Sequence, residues 1–278
     1  MKKPDYKADG FIPQRQKGCL IMRMRSRAGN LTAENLQAVA RLASRFGNGC
    51  VHVTTRQAIE IHGVKTELYE QAKQAITAEG LLPAVCGPRI RPITACPGTD
   101  TCPYGLQNTR DLAETLDASY VGREMPAKTK IAISGCPNSC TDPQGNDIGF
   151  KGVAEPVMVP ENCVQCGLCV KICPVQAMTL ADDMVTIDRQ ACLSCGRCIS
   201  QCPKDALIRG REGYHIYIGG KGGRFSAAGI LLGNFVPAGQ VVSHLEAILA
   251  SYQKLAEKGE RLQAVLARVG SDAVWQQI

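Results

Sequence analysis

The chain has 278 residues, with 32 lysines and arginines against 25 aspartates and glutamates, so its formal net charge is +7 at neutral pH. Hydrophobic residues make up 45% and charged residues 21%, a balance that excludes an intrinsically disordered chain. Its 15 cysteines are too few for a small disulfide scaffold. The basic residues are spread out and aromatic residues make up only 5%, so nucleic-acid binding is not predicted.

The amino-terminal residues predict no export signal. The first twenty residues lack the run of about seven apolar residues that a secretory signal needs. The longest apolar stretch elsewhere starts at Ala227, is interrupted by glycine, asparagine and proline, and falls short of the roughly 18 residues of a membrane span. We therefore expect a cytoplasmic protein with reduced thiols, where clustered cysteines more often bind metal than each other.

The first ten residues are polar and predict a flexible arm. A regular pattern in the order β-α-β-β-α follows, which is typical of an α+β fold. Its clearest element is a helix with Thr32 as the expected N-cap and Gly47 as the stop, because the apolar residues between them recur at helical spacing. The other elements are predicted at 19–25, within 50–62 and at 67–79.

The rest of the chain predicts a second α+β unit. A helix is expected around 106–119, a short buried strand at 129–134, and two amphipathic helices at the C-terminus, from Gln240 and after Gly259. Residues 157–209 differ from both flanks because eight cysteines fall there in two similar blocks. This segment is predicted to be an inserted module.

The two blocks have the cysteine spacing of two-cluster bacterial ferredoxins. In that arrangement three cysteines of each block bind one [4Fe-4S] cluster and the fourth reaches the other cluster. Structural zinc would explain four cysteines per site, but not the third CxxC step and the terminal Cys-Pro in both blocks. The predicted ligand sets are Cys163, Cys166, Cys169 and Cys202 for one cluster, and Cys192, Cys195, Cys198 and Cys173 for the other.

A second constellation lies upstream, with the spacings Cys96-x5-Cys102 and Cys136-x3-Cys140. Two such pairs in loops rich in proline and glycine can close on one further cubane. Glycine follows both CxxC runs where a c-type haem would require histidine, so attached haem is excluded. The three remaining cysteines, Cys19, Cys50 and Cys86, are predicted to be small buried hydrophobic residues.

The contexts ACPGTDTCPYG and ISGCPNSC resemble the siroheme and [4Fe-4S] motif of the sulfite and nitrite reductase superfamily. The stretches HVTTRQAIEIHGV, MPAKTKIAISGC and GGKGGR are also similar to segments of that family, so the resemblance covers most of 17–235. The short length and the inserted module point to its anaerobic, dissimilatory-type branch. His52 departs from the pattern, because many members carry an arginine there.

The resemblance implies a siroheme-reductase sandwich with three parts. A ferredoxin-like half domain would span 1–80, and a domain that binds siroheme and [4Fe-4S] would span 81–156 and 210–278. The module at 157–209 would be an inserted ferredoxin domain with two [4Fe-4S] clusters. The implied cofactors are thus a siroheme and three clusters.

The resemblance also implies the site residues. Cys140 would bridge the cluster to the siroheme iron, and the loop of Gly219, Gly220, Lys221 and Arg224 would hold the siroheme carboxylates. The substrate anion would be held by Arg56, Arg91, Lys128 and Lys130. Lys128 and Lys130 are two apart in an extended segment, so their side chains should leave the same face.

The implied activity is reduction of sulfite to sulfide by six electrons that pass through the ferredoxin clusters. Reduction of nitrite to ammonium at the same cofactors is left open, as is a non-catalytic iron-sulfur carrier, although a carrier has no use for an anion cage. No nucleotide-binding glycine motif occurs, so electrons must come from a reductase or ferredoxin partner. Because the chain holds only one copy of the family's repeat, we expect a homo-oligomer, or a pair with a homologous subunit, in which one chain's cations face the other chain's Cys140.

Overall fold

The computed structural model describes residues 4–182 and 184–275. An antiparallel sheet and two helices form the first part of the chain. The strands have the order β1-β2-β4-β3, and β5 also pairs with β2. The element bounds are β1 Phe11–Pro13, β2 Cys19–Arg25, α1 Ala33–Phe46, β3 Val51–Val53, β4 Ala58–Lys65, α2 Tyr69–Ala78 and β5 Leu82–Pro83. This order confirms the β-α-β-β-α prediction.

The alternation of buried and half-buried residues along β2 and the helical spacing of apolar residues in α1 explain why these elements pack together. Every second residue of β2 is buried, including Met22, and the face of α1 with Leu42 and Phe46 covers them. Thr32 caps α1 as predicted, since its hydroxyl accepts a hydrogen bond from the backbone N–H of Asn35 at 3.1 Å. Truncation of a side chain as buried as Leu42 would cost about 2–5 kcal/mol.

The prediction of a flexible arm is wrong for residues 4–10, which pack on the helix α2. The ring of Tyr6 meets that of Tyr69 edge to face, with 4.7 Å between centroids. Asp9 forms an ion pair with Lys73 at 2.9 Å, and its carboxylate also accepts a hydrogen bond from Tyr69. An aromatic residue at position 6 thus supplies the apolar contact that the polar composition concealed. Residues 1–3 of the predicted arm lie outside the described residues.

A second, mixed sheet forms the centre of the molecule, in the order β12-β11-β8-β7-β6. Its core includes Phe150 and Tyr214, which are covered by residues of the C-terminal helices such as Leu245. The bounds are β6 Thr94–Ala95, α3 Thr109–Tyr120, β7 Ile131–Ser134, β8 Ile148–Met158, β11 Leu207–Ile218, β12 Ile230–Val236, α6 Val241–Leu255, α7 Leu262–Val269 and α8 Asp272–Trp275.

The long strands β8 and β11 connect the central sheet to the cysteine-rich module. They pair antiparallel from Ile148–Ile218 to Met158–Leu207, so the module projects from the end of a two-stranded ladder. Within it the hairpin of β9 (Met178–Ala181) and β10 (Met184–Ile187) packs beside two short helices, α4 (Leu168–Ile172) and α5 (Arg197–Ser200). The α+β fold class is therefore confirmed. In the described ranges 4–182 and 184–275, no helix has the length and apolar character needed to cross a membrane.

Candidate functional site

Four cations that are far apart in the sequence line one cavity of about 240 Å³. They reach it from three segments: the turn between β3 and β4, the residues before β6 and the residues before β7. The cavity is also lined by neutral residues, among them Thr54 and Pro92. The four cations are those predicted for the anion cage: Arg56, Arg91, Lys128 and Lys130.

The turn that carries Arg56 is fixed at both ends. The hydroxyl of Thr54 accepts hydrogen bonds from the backbone N–H of Arg56 at 3.3 Å and of Ala58 at 3.1 Å. The side chain of Gln57 donates to the carbonyl of Ala95 at 2.7 Å and accepts from its N–H at 2.9 Å. The turn is thereby held against the edge of β6, which it covers.

The guanidinium of Arg56, which belongs to the first part of the chain, contacts residues of the second part. It donates to Oδ1 of Asn146 at 2.8 Å and to the carbonyl of Pro92 at 2.9 Å. Its Nε, like the Nε of Arg91, is buried and has no hydrogen-bond partner within the described part of the chain. Buried N–H groups normally have acceptors. These two donors therefore fit a site that receives an acceptor-rich anion.

Burial and mutual repulsion determine the charge state of this cavity. Burial, together with neighbouring Arg91, lowers the pKa of Arg56 to about 10, which still leaves it charged at neutral pH. Burial, and then the charges of Arg56 and Lys128, lower the pKa of Lys130. Asp147 accepts a hydrogen bond from the backbone N–H of Lys130 at 2.9 Å, but its carboxylate is paired with Arg261 at 2.7 Å. A lysine of lowered pKa releases a proton more readily.

Arg23 of β2 also lines the cavity, and sequence reasoning missed it. Its Nε donates to Oε1 of Glu60 at 2.6 Å and its Nη1 to the thiol of Cys86 at 3.3 Å. The other oxygen of Glu60 lies 3.2 Å from Nε2 of His62. In the sequence Arg23 is one of the polar residues of the alternating strand β2, and no motif marks it. Only the tertiary structure, which places it in the same cavity as the four predicted cations, distinguishes it.

Four cysteines lie at the other end of the short strands. Cys96 directly follows β6, Cys136 follows β7, and Cys102 and Cys140 lie in the loops beyond. Burial, and then the nearby thiols of the other three, raise the pKa of Cys136, so the four are electrostatic neighbours. The backbone N–H of Gly135 donates to the sulfur of Cys96 at 3.1 Å.

The cysteine loop packs closely on the central sheet. A Cβ added at Gly152 of β8 would collide with the carbonyl oxygen of Gly135, so only glycine permits this approach. Gly98 has a φ of +58° and would collide in the same way with Thr109. The glycines and prolines that crowd the sequence here therefore place Cys96 and Cys136 side by side.

The eight module cysteines surround two separate spaces. Each space is lined by three cysteines of one block and the fourth of the other. The first space is lined by Cys163, Cys166, Cys169 and Cys202, and the second by Cys173, Cys192, Cys195 and Cys198. The spacing of these thiols does not suit a single metal ion: in the described ranges, which omit 1–3, 183 and 276–278, no three His, Cys, Asp or Glu side chains lie close enough to bind one.

The crossed fourth cysteines are held identically in the two blocks. The sulfur of Cys173 accepts a hydrogen bond from the N–H of Ala177 at 3.2 Å, and that of Cys202 accepts one from Ala206 at 3.2 Å. Burial, and then neighbouring Cys195 and Cys192, raise the pKa of Cys198 to about 12. Binding of iron would replace these protons, because the ligand is the thiolate. The thiol sets and their N–H donors fit two cubane clusters.

The three cysteines outside these groups differ from one another. Cys86 is buried, as predicted, but Cys50 is exposed and Cys19 is only half-buried. The prediction of burial is thus wrong for Cys50, which directly precedes the exposed edge strand β3. Cys86 has a further contact that the sequence did not indicate, because its thiol accepts the hydrogen bond from Arg23.

The glycine-rich loop at 219–224 lies next to the cation cavity but does not line it. The N–H of Gly219 donates to the carbonyl of Asp147 at 2.8 Å, and Gly220 packs on the backbone of Asn146, where a Cβ would collide. The ammonium of Lys221 lies 5.9 Å from the ring centroid of Phe225, whose side chain is 74% exposed. The structure therefore places Gly219 and Gly220 beside the residue that binds Arg56, with Lys221 and Arg224 further out.

Two family models match this chain. The "Nitrite and sulphite reductase 4Fe-4S domain" matches residues 86–278, and the "Nitrite/Sulfite reductase ferredoxin-like half domain" matches residues 12–79. The chain belongs to the nitrite and sulfite reductase family. This confirms the predicted superfamily, which consists of oxidoreductases. The domain that matches residues 86–278 is named for its 4Fe-4S centre.

The relatives of this chain differ in length. A coenzyme F420-dependent sulfite reductase of Methanocaldococcus jannaschii is 38% identical over 264 residues, which are 94% of this chain and 42% of that protein. An assimilatory-type sulfite reductase of Nitratidesulfovibrio vulgaris is 32% identical over 51% of this chain and 65% of its own length. The chain thus spans less than half of the first relative. Among solved structures, dissimilatory sulfite reductase I has a TM-score of 0.78 at 23% identity, covering 93% of this chain and 68% of that one, and it shares the fold.

Proposed function

We propose that this chain binds a siroheme coupled to a [4Fe-4S] cluster and reduces sulfite to sulfide. The observation that supports this best is the meeting of Arg56, Arg91, Lys128 and Lys130 around one cavity, since an oxyanion needs such a surplus of positive charge. A chain that only carried electrons would not need the two buried, unpartnered arginine Nε groups. Similarity to two sulfite reductases favours sulfite as the anion.

The residues of the cavity have separable roles in this proposal. Siroheme, when bound, would supply the iron at which the substrate is reduced. Arg56 and Arg91 line the cavity and would bind negatively charged oxygens, either of the substrate or of the siroheme carboxylates. Lys130, whose pKa is lowered, is the residue best suited to give protons to the oxygens that leave as water, and Lys128 adds charge beside it.

The cysteines would hold three clusters. Cys96, Cys102, Cys136 and Cys140 would bind the cluster next to the siroheme, and Cys140 is the residue expected to couple this cluster to the siroheme. The sets around the two module spaces would bind the other two clusters. We call the part of the chain built on the sheet β12-β11-β8-β7-β6 the central domain. Cys195 of the module and Cys136 of the central domain line one common cavity of about 260 Å³. This proximity favours entry of electrons through the module.

The site would be completed by a second chain. The strands β6 and β7 run parallel, with Arg91, Lys128 and Lys130 before them and Cys96 and Cys136 after them. Since a strand of four residues is about 13 Å long, the cations and the cysteines of one chain lie at opposite ends of these strands. This arrangement supports a dimer, or a pair with a homologous subunit, in which the cations of one chain face Cys140 of the other.

An absorption spectrum of anaerobically purified and reconstituted protein tests the proposal. Siroheme gives Soret and red-region bands, which iron–sulfur clusters lack. We expect these bands, about 12 cluster irons per chain, and sulfide production from sulfite with a reduced dye. Iron–sulfur absorption without siroheme bands would instead indicate a carrier, and faster turnover of nitrite than of sulfite would contradict the proposed substrate.

A further inference from the structure

The two cysteine blocks of the module are structural repeats, which makes their differences informative. Gln165 and Ser194 occupy the same place in the two blocks and both have a left-handed backbone, with φ of 57° and 53°. Gly167 and Gly196 follow, each with φ of 68°. The next position holds Leu168 in the first block, but in the second block it holds Arg197.

The block that contains Arg197 lies against the central domain. The backbone N–H of Ala154 in β8 donates to the carbonyl of Ser194 at 2.9 Å, and Ala154 also forms a bridge with Cys195. Gly196 is buried there; a Cβ at this position would lie 2.9 Å from a methyl group of Leu106. The second block is thus fixed against the loop between β6 and α3, which carries Cys102 and Leu106.

Arg197 lies at this boundary between the two sets of cysteines. It lines the cavity of about 260 Å³ that is shared by Cys136 and Cys195. Its guanidinium carbon is 6.0 Å from the ring centroid of Tyr104, which follows Cys102 and also lines the cavity. The first block has an apolar residue at the equivalent position, and Lys204, which lines the space of the other module cluster, does not line this cavity.

A [4Fe-4S] cluster on four thiolates is an anion that becomes more negative when it takes up an electron. A fixed cation beside such a cluster stabilises the reduced state and raises its reduction potential. When an electron passes between two clusters, the donor is oxidised and the acceptor is reduced. A cation that lies beside both clusters lowers the electrostatic cost of placing the electron on either of them.

We propose that Arg197 is a positioning residue for electron transfer between the module and the central domain. Its charge raises the reduction potential of the cluster held by Cys173, Cys192, Cys195 and Cys198 above the value that this cluster would have without it. This stabilises an electron on the module cluster that adjoins Cys136. This inference rests on the proposed function, because it requires both sets of cysteines to hold clusters.

Redox titration of the reconstituted full-length protein, followed by electron paramagnetic resonance, tests this role. We expect Arg197→Gln and Arg197→Leu to lower the potential of the second-block cluster, so that the equilibrium between the two module clusters shifts about tenfold away from it. Arg197→Lys should keep the wild-type value. Arg197→Leu reproduces the residue of the first block, where Leu168 is likewise the first residue of a short helix, so folding should be retained.

Lys204 provides a matched control, because it lines the space of the other module cluster. Lys204→Gln should lower the potential of that cluster and leave the second-block cluster unchanged. Intact cluster signals with an unchanged second-block potential in Arg197→Gln would overturn the role of Arg197 alone. Absence of iron–sulfur signals from the reconstituted wild-type protein would overturn both this inference and the proposed function.

Discussion

Arg56 and Asn146 join the two parts of the chain, with Nη1 of the arginine 2.8 Å from Oδ1 of the asparagine. Asn146 is itself fixed, because its side-chain amide donates to the carbonyl of Asp142 at 2.7 Å. Its backbone packs against Gly220, the second residue of the glycine-rich loop. One asparagine thus connects the cation cavity with the loop proposed to hold siroheme carboxylates.

Two substitutions of Asn146 separate its structural role from its effect on charge. Asn146→Ala removes the acceptor for Arg56 and should lower the free energy of unfolding by about 1–3 kcal/mol in denaturant titration. Asn146→Asp retains an acceptor for Arg56 but adds a negative charge beside the cavity. It also loses the amide donor to the carbonyl of Asp142, so part of the stability is lost as well. The added charge should weaken sulfite binding, seen as a higher KM than in Asn146→Ala; equal KM values in Asn146→Asp and Asn146→Ala would contradict a role of cavity charge.

Lys130 should determine the alkaline limit of activity. Its pKa lies below that of an ordinary lysine, because it is buried and faces Arg56 and Lys128. Since the protonated form donates the proton, kcat should fall as pH rises through this lowered pKa. Below this pKa Lys130 is fully protonated, so its titration should no longer change kcat. Lys128→Gln removes one repelling charge, so the alkaline limb of kcat should move to higher pH.

The control for this assignment is Lys130→Arg, which keeps the charge but barely releases protons. It should retain KM within a few-fold and lose kcat by about 100-fold. If Lys130→Arg kept the wild-type kcat and pH profile, Lys130 would not be the proton donor, and its role would be limited to binding the anion.

Arg23 should contribute to anion binding, although nothing in the sequence marks it. Arg23→Gln removes one of the cations that line the cavity and leaves Glu60 with only His62 as a partner in the part of the chain that the structure describes. We expect a higher KM for sulfite and a loss of about 2–4 kcal/mol in the free energy of unfolding, because an almost buried carboxylate loses its cation. The double variant Arg23→Gln/Glu60→Gln should recover part of the stability but none of the KM.

The elements that sequence reasoning located well are those whose signal is local. The Thr32 cap and the apolar spacing of α1 act within one helix, and cysteine spacing alone indicated both module sets. The four cage positions came from resemblance to a family, and the structure then placed them around one cavity. Arg23 and the docking of Gln57 on Ala95 depend on contacts between distant segments. Such contacts leave no local pattern, so only the tertiary structure reveals them.

A shared site between two chains can be tested by complementation. Lys130→Met should inactivate the cation side, and Cys140→Ser should inactivate the cysteine side. If Lys130 of one chain faces Cys140 of the other, a dimer of one chain of each kind has one site with both residues intact. Random equal mixing of the two inactive proteins, after dissociation and reassociation, should then restore about a quarter of wild-type activity.

If Lys130 and Cys140 served the same site within one chain, every site in the mixture would carry a defect, and activity would not return. Lys130 and Cys136 lie at opposite ends of β7, and this separation favours the first result. The variants mixed without dissociation are the control, since they cannot exchange chains and should remain inactive. A strictly monomeric preparation with full activity would also contradict the shared site, because one chain presents its cations and its cysteines about 13 Å or more apart.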